Sequence, residues 1–394
     1  MVQAQQVTQN AQNFLTDFWQ AVPMYPEQKN TEYRRTAPRA LSGPRRQGTR
    51  LPLHGLAALR ILIVLVIGIG YASTMGIGTD SVEWGHHWGY DPSWWGVNLL
   101  FVLSGFLALR SLTQNRSVLD FFSSRIWSLW PALIAATLVT VVLLYPVMCN
   151  RDAAQTMDAG ALTLYFFKTI FLIDPGARLP GLLDDAKYMC LMQGAIWTLR
   201  WGFVLHVAFL VGHKLRLFSD RRLIAALFGL ALLAYVCVVQ TAIMRPVFGE
   251  MVTQVLPGLR LGTAYLAGTA LFAWQDRLRL SWRFLLPAII SFAGLTTLNE
   301  MFLPWTPLME VLGTAFWVTC GLAFLGYAPQ QLRRCPRLTP VLYVTIWPAA
   351  QVIVALFPGL SQSGVIEFSL VLASLVAVIV FLLLRQANVQ PARF

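Results

Sequence analysis

Ten apolar stretches, each about twenty residues long, set what this chain can become. They run near 58–77, 94–112, 127–148, 194–212, 222–243, 257–275, 282–299, 307–326, 340–358 and 366–385. At about 1.5 Å per residue, a helix of that length crosses roughly 30 Å of hydrocarbon. Hydrophobic residues make up 56% of the 394 and charged residues 12%. A soluble surface needs about 25% charged residues, so a soluble globular fold is excluded. The sequence predicts an all-α polytopic membrane protein with ten transmembrane helices. A shorter run, GALTLYFFKTIFLI (160–173), contains Lys168 and suits an interfacial or re-entrant segment better than a span.

Charge orients the spans. The tail 1–52 and alternate loops hold 22 of the Lys and Arg residues, while the intervening loops hold 5. The positive-inside rule therefore puts both termini in the cytoplasm. The net charge of +12 reflects that bias and calls for membrane lipid as a neighbour, with no nucleic acid partner expected. Residues 1–52 read as a basic, largely disordered cytoplasmic arm near anionic headgroups, and no apolar stretch precedes residue 50 to act as a signal peptide. Within the arm, 9–22 reads as a short amphipathic surface helix or as plain disorder. The membrane domain covers 53–386, and 387–394 forms a cytoplasmic tail. The acidic loop 149–193 is expected to lie outside as a lid. Cys149 and Cys190 flank it, either as an outer disulfide or as two thiols.

The most specific local segment is GVNLLFVLSGFLALRSL (96–112), where Ser104 and Gly105 let helices approach closely. GLAALRILIVLVIGIGYA (55–72) precedes it and FFSSRIWSLWPAL (121–133) follows. Then come QGAIWTLRWGFVLH (193–206), LRLGTAYLAGTALFAWQDRL (259–278) and LTPVLYVTIWPAAQ (338–351).

In order and spacing, this set resembles the acyltransferase-3 family of integral-membrane O-acyltransferases. The resemblance implies a ten-helix core in a bacterial cytoplasmic membrane. It implies cytosolic acyl-CoA, acetyl-CoA foremost, as donor and a glycan on the outer side as acceptor. Polysaccharide synthesis or export proteins are the partners it suggests, and no metal is expected. Arg60 and Arg125 keep two of the family's arginines and are the candidates for binding the donor. Guanidinium forks pair bidentately with phosphate; snorkelling to headgroups is the plainer reading of Arg60. Other working positions differ. Tyr71 stands at the family's histidine, Asn98 at its aspartate, Ser128 at a second arginine of the third span and Gly202 at a glutamate.

Those replacements matter because moving an acyl group from a thioester to a hydroxyl needs a proton acceptor. Histidine suits that task near neutral pH, tyrosine does not, and asparagine cannot ionise. Candidate catalytic residues are therefore Tyr71, Asn98 and, as compensation, His86 and His87 in WGHHWGYD (84–91). The alternative for that loop is a membrane-interface belt of tryptophans. His206 reads as a satisfied intramembrane histidine or as a functional one. Ser104, Trp197, Arg200 and Arg260 are candidates for lining a substrate cavity. Arg200 is expected too deep to snorkel, and Arg260 just inside the outer end of its span. Two readings result. One is acyl transfer to an exopolysaccharide or cell-envelope glycan. The other is a catalytically degenerate member that binds a glycan or acyl group within a synthesis or export complex. A transporter is a weaker third reading, since no internal repeat is evident.

Overall fold

The computed structural model describes residues 56–77, 91–113, 118–149, 159–183, 191–244, 249–277, 306–325 and 338–386, with Pro287, Ile290 and Gly294. All belong to one compact unit spanning Pro38–Phe394. The described residues are helical and contain no strand.

The helices are α1 (Leu56–Ile77), α2 (Pro92–Thr113), α3 (Val118–Val139), a π-helical turn (Thr140–Leu144), α4 (Tyr145–Met148), α5 (Ala159–Ile170), α6 (Ile196–Lys214), α7 (Arg221–Met244), α8 (Gly249–Ala273), α9 (Thr306–Leu325), α10 (Leu338–Leu356) and α11 (Gln362–Gln386). Seven segments are long and apolar enough to cross a membrane: α1, α2, the continuous stretch Asp120–Met148, α6, Arg221–Val239 of α7, α10 and Gln362–Leu382 of α11. The chain is therefore a multi-pass membrane protein. Helices α8 and α9 cover the expected sixth and eighth spans, while most of 282–299 lies outside the described residues. At 12 residues, α5 is only about 18 Å long, in keeping with the interfacial reading of 160–173.

Surface chemistry matches a bilayer. On α11, Phe368, Val371, Leu375, Ile379 and Leu382 recur every three or four residues and are exposed. That spacing is one helix face, and water would not tolerate it. Inside the bundle, threonine hydroxyls turn back to their own helices. Thr137 donates to the Leu133 carbonyl (2.8 Å), Thr263 to Leu259 (2.7 Å) and Thr345 to Val341 (2.9 Å). No buried hydroxyl of these three is left to face hydrocarbon.

The core is the crossing of α2 and α8. A Cβ on Gly105 would sit 1.9 Å from the Tyr265 carbonyl oxygen, and one on Gly268 would sit 1.7 Å from that of Val102. Any side chain at either position would force the backbones apart. The small residues of the 96–112 segment thus set the spacing of these two helices. A second meeting joins α10 to the segment before α6. Trp347 Nε1 donates to the Leu191 carbonyl (2.8 Å), and Gln351 Nε2 donates to the same oxygen (3.2 Å). Beside the π-helical turn, Tyr145, Tyr165, Leu179, Leu182 and Met192 form a small separate apolar cluster under loop residues 171–183. Lys168 and Asp174 bridge at 3.4 Å on its rim.

Candidate functional site

Two polar groups of residues interrupt the apolar interior. The first lies where α2 and α9 begin. Glu310, the fifth residue of α9, is 1% exposed. Asn98 Nδ2 on α2 donates to its Oε1, and the Tyr235 hydroxyl on α7 donates to Oε2 at 2.8 Å. The Trp94 indole and the Arg260 charge also face this carboxylate. The Arg260 guanidinium lies over the Trp94 ring, 3.3 Å from its centroid, and 5.8 Å from that of Trp197. One carboxylate thus gathers donors from α2 and α7 and the charge of a cation on α8. In a low-dielectric interior each of these interactions is stronger than in water.

The second group lies toward the opposite end, where α1 and α3 begin and α6 and α8 finish. Arg60 on α1 and Arg125 on α3 lie close enough to repel one another. Arg125 also stacks over Phe121, 5.2 Å from its centroid. His206 on α6 packs against Phe121 (5.8 Å between centroids) and edge-on to Tyr265 of α8 (5.5 Å). Its Nδ1–H donates to the Gly202 carbonyl at 2.5 Å. That bond fixes the neutral tautomer with Nε2 as a bare acceptor. His206 Nε2 and the Tyr265 hydroxyl are both buried without a hydrogen-bond partner. Two guanidinium groups and a phenolic donor can together hold a phosphate-type anion, and the His206 Nε2 acceptor beside them can receive a hydrogen from a ligand N–H or O–H.

Arg60 and Arg125 are thus brought together, as are Asn98, Trp197 and Arg260. Tyr71 joins neither group through a hydrogen bond. It is buried edge-on against Trp347 (4.7 Å between centroids), and its hydroxyl faces the Tyr343 hydroxyl and the Arg260 charge. Tyr343 is held from its other side by Thr198. Ser104 is half-buried, and its hydroxyl donates to Leu100 within its own helix (2.7 Å). His86 and His87 lie outside the described residues, as does Cys190.

Arg200 is exposed, and its Nη1 donates to the Ile173 carbonyl in the loop behind α5 at 3.3 Å. Arg260 is not near the end of its helix. Helix α8 begins at Gly249 and continues through Pro257, which puts Arg260 eleven residues, about 16 Å, inside. Sequence reasoning missed Glu310 altogether. A single carboxylate at the rim of a span looks like an interfacial residue. The available signal was the tyrosine, asparagine and arginine that three other spans carry, and linear spacing does not reveal that they meet.

Compared with family models, with curated proteins and with solved structures, the chain matches none.

Proposed function

We propose that this chain is an acyltransferase-3-like enzyme of a bacterial cytoplasmic membrane. It transfers an acetyl or other short acyl group from cytosolic acyl-CoA to a hydroxyl of an exopolysaccharide or cell-envelope glycan. The observation that carries this reading is the convergence of Arg60 and Arg125 beside the unpartnered Tyr265 hydroxyl and His206 Nε2. Two like charges placed side by side attract an anion, and the phosphates of a CoA donor are anions of the right chemistry. Of the sequence segments behind the family resemblance, 96–112 packs on 259–278, and 338–351 reaches the edge of 193–206, which also supports it. The orientation expected from charge would put the arginine cluster at the cytoplasmic end, where the donor is made. Single cysteines introduced at Gly160 and Gln330, in a chain lacking its own cysteines, test this. An impermeant thiol reagent should reach the first from outside and the second from inside.

One observation favours the second reading, a degenerate family member that binds without turnover. Tyr71, at the position of the family's base, is buried edge-on against Trp347 with its hydroxyl toward the phenol of Tyr343. Isothermal titration of the purified, folded chain with acetyl-CoA tests donor binding, and acetyl incorporation into the glycan fraction separates turnover from binding alone. The enzyme reading expects binding that Arg60→Ala and Arg125→Ala each weaken by roughly 10- to 150-fold, the loss of one charge-assisted phosphate contact. No binding by the folded wild type removes the donor from the account.

A further inference from the structure

The carboxylate network contains a feature that neither donor binding nor packing uses. Asn98 is 2% exposed and gives its Nδ2 to Glu310, while its Oδ1 is buried without a hydrogen-bond partner. An amide is a donor at one end and an acceptor at the other. Turned over about its last torsion, the same side chain would present Oδ1 to Glu310. A carboxylate needs the first arrangement and a carboxylic acid needs the second, because only the acid has a proton to donate. Asn98 can therefore serve both protonation states of its partner without any helix moving.

The surroundings suit exchange between those states. The groups facing Glu310 are Asn98 and Trp94 on α2, Tyr235 on α7 and Arg260 on α8. Tyr235 donates to the oxygen that Asn98 does not hold, so the carboxyl group stays anchored when the other oxygen gains a proton. Contact ion pairs among the described residues are Lys168–Asp174 and Arg221–Asp276, and Glu310 is in neither. A contact pair would lock the group in its ionised form; neutral donors do not.

We propose that Glu310 and Asn98 form a proton-binding site inside the membrane domain, where the carboxyl group takes up the proton that an acceptor hydroxyl gives up. That role rests on the acyl-transfer reading; the proton site itself does not. In the reaction, the hydroxyl oxygen bonds to the acyl carbon. The C–S bond of the thioester breaks, and its electron pair leaves with sulfur as thiolate. The hydroxyl proton passes to Glu310, directly or through water, and then to the thiolate or to bulk water, which restores the carboxylate. Asn98 turns over once in each direction per cycle.

Dicyclohexylcarbodiimide, an apolar reagent that reacts with protonated carboxyl groups, reads the site directly. The full chain in lipid vesicles is treated between about pH 4 and pH 9, the range that ordinary and buried carboxyl groups span. The peptide carrying Glu310 is then weighed by mass spectrometry. Labelling should fall about tenfold per pH unit on the alkaline side of the transition, as for a single proton. Glu310→Gln should abolish it, and Asn98→Ala should move the transition while the chain remains folded by size-exclusion profile. No label at any pH, or a label that does not change with pH, overturns the proton site. An unmoved transition in Asn98→Ala overturns the amide's part in it. Acetyl incorporation into glycan is measured in parallel. A loss of about 10²- to 10⁴-fold in Glu310→Gln is expected for a lost proton acceptor, and full transfer by that variant overturns the catalytic role. A wild type that labels with the expected pH dependence but transfers no acetyl group defeats the acyl-transfer reading alone.

Discussion

The carboxylate network and the arginine cluster are both polar islands in an apolar bundle, and they are built on opposite principles. Around Glu310 the donors Asn98 and Tyr235 and the charge of Arg260 converge on a single carboxylate. Around Arg125 lie a second arginine, aromatic rings and an imidazole. The network sets donors and a cation against a carboxylate. The cluster sets two like charges beside an acceptor and a hydroxyl that have no hydrogen-bond partner. On the donor-binding proposal, the anion of a ligand completes the second arrangement.

The largest expected effect breaks the network. Glu310→Ala leaves Asn98 and Tyr235 without their acceptor and the Arg260 charge without its carboxylate. Each buried donor left without its acceptor costs about 1–3 kcal/mol. Thermal unfolding in detergent should show a large drop, with Glu310→Gln much milder. Equal effects from the two variants would mean that charge and hydrogen bonding at Glu310 carry little of the packing energy.

The cluster should respond in the opposite direction. Arg60→Met keeps the bulk of the side chain and removes one of two repelling charges. Without ligand, it should raise stability by about 1–2 kcal/mol, as replacing buried charge by apolar side chains often does. A destabilised Arg60→Met would show that the cluster is balanced within the protein and is not held open for an anion.

How far the sequence revealed these two regions follows from what linear patterns carry. Among the described residues helix existence was legible, because a lipid-facing helix must be apolar over its whole length. Helix starts were less so. Pro257 marked a helix beginning, yet α8 starts at Gly249 and carries the proline in its interior. That error of two turns put Arg260 at a rim when it is in the middle of α8. Arg60 and Arg125 were legible as a pair only through the family resemblance. His206 was read as satisfied or functional, and half of its ring is each: Nδ1 has its carbonyl, Nε2 has nothing. The apolar pattern starts the third span near 127, but α3 begins at Val118 and carries Arg125 about two turns into the helix. Glu310 gave no local signal, because its meaning lies in three contacts across helices that are far apart in sequence.

Tyr71 sharpens the comparison from the margin of the network. Its hydroxyl faces Tyr343, so Tyr71→Phe should cost no more than one neutral hydrogen bond, about 1 kcal/mol. With Glu310 proposed as the proton acceptor, acetyl transfer should likewise change little. A loss on the scale of a removed general base would make the phenol catalytic and displace Glu310 from that role.

The smallest effect belongs to the ion pair at the ends of α7 and α8. Arg221 Nη1 holds both Asp276 oxygens at 2.9 Å, and this hydrogen bonding keeps the Asp276 carboxyl below the usual aspartate value of 3.8. With a lowered folded-state value, the pair stabilises above the ordinary aspartate range, and that stability is lost as pH falls through the lower folded value. The pair is solvent-exposed and screened, so Asp276→Asn should cost below about 1 kcal/mol at neutral pH. The difference from wild type should shrink below about pH 4 as Asp276 protonates.

The central claim is that the arginine cluster holds the phosphates of an acyl-CoA donor. Its most direct test is a structure of the full chain, determined by electron cryo-microscopy in lipid with saturating acetyl-CoA. The account expects phosphate density against Arg60 and Arg125, with His206 and Tyr265 within hydrogen-bonding distance of the ligand. An arginine cluster unchanged from the ligand-free state, with donor density elsewhere on the bundle or none, would contradict it.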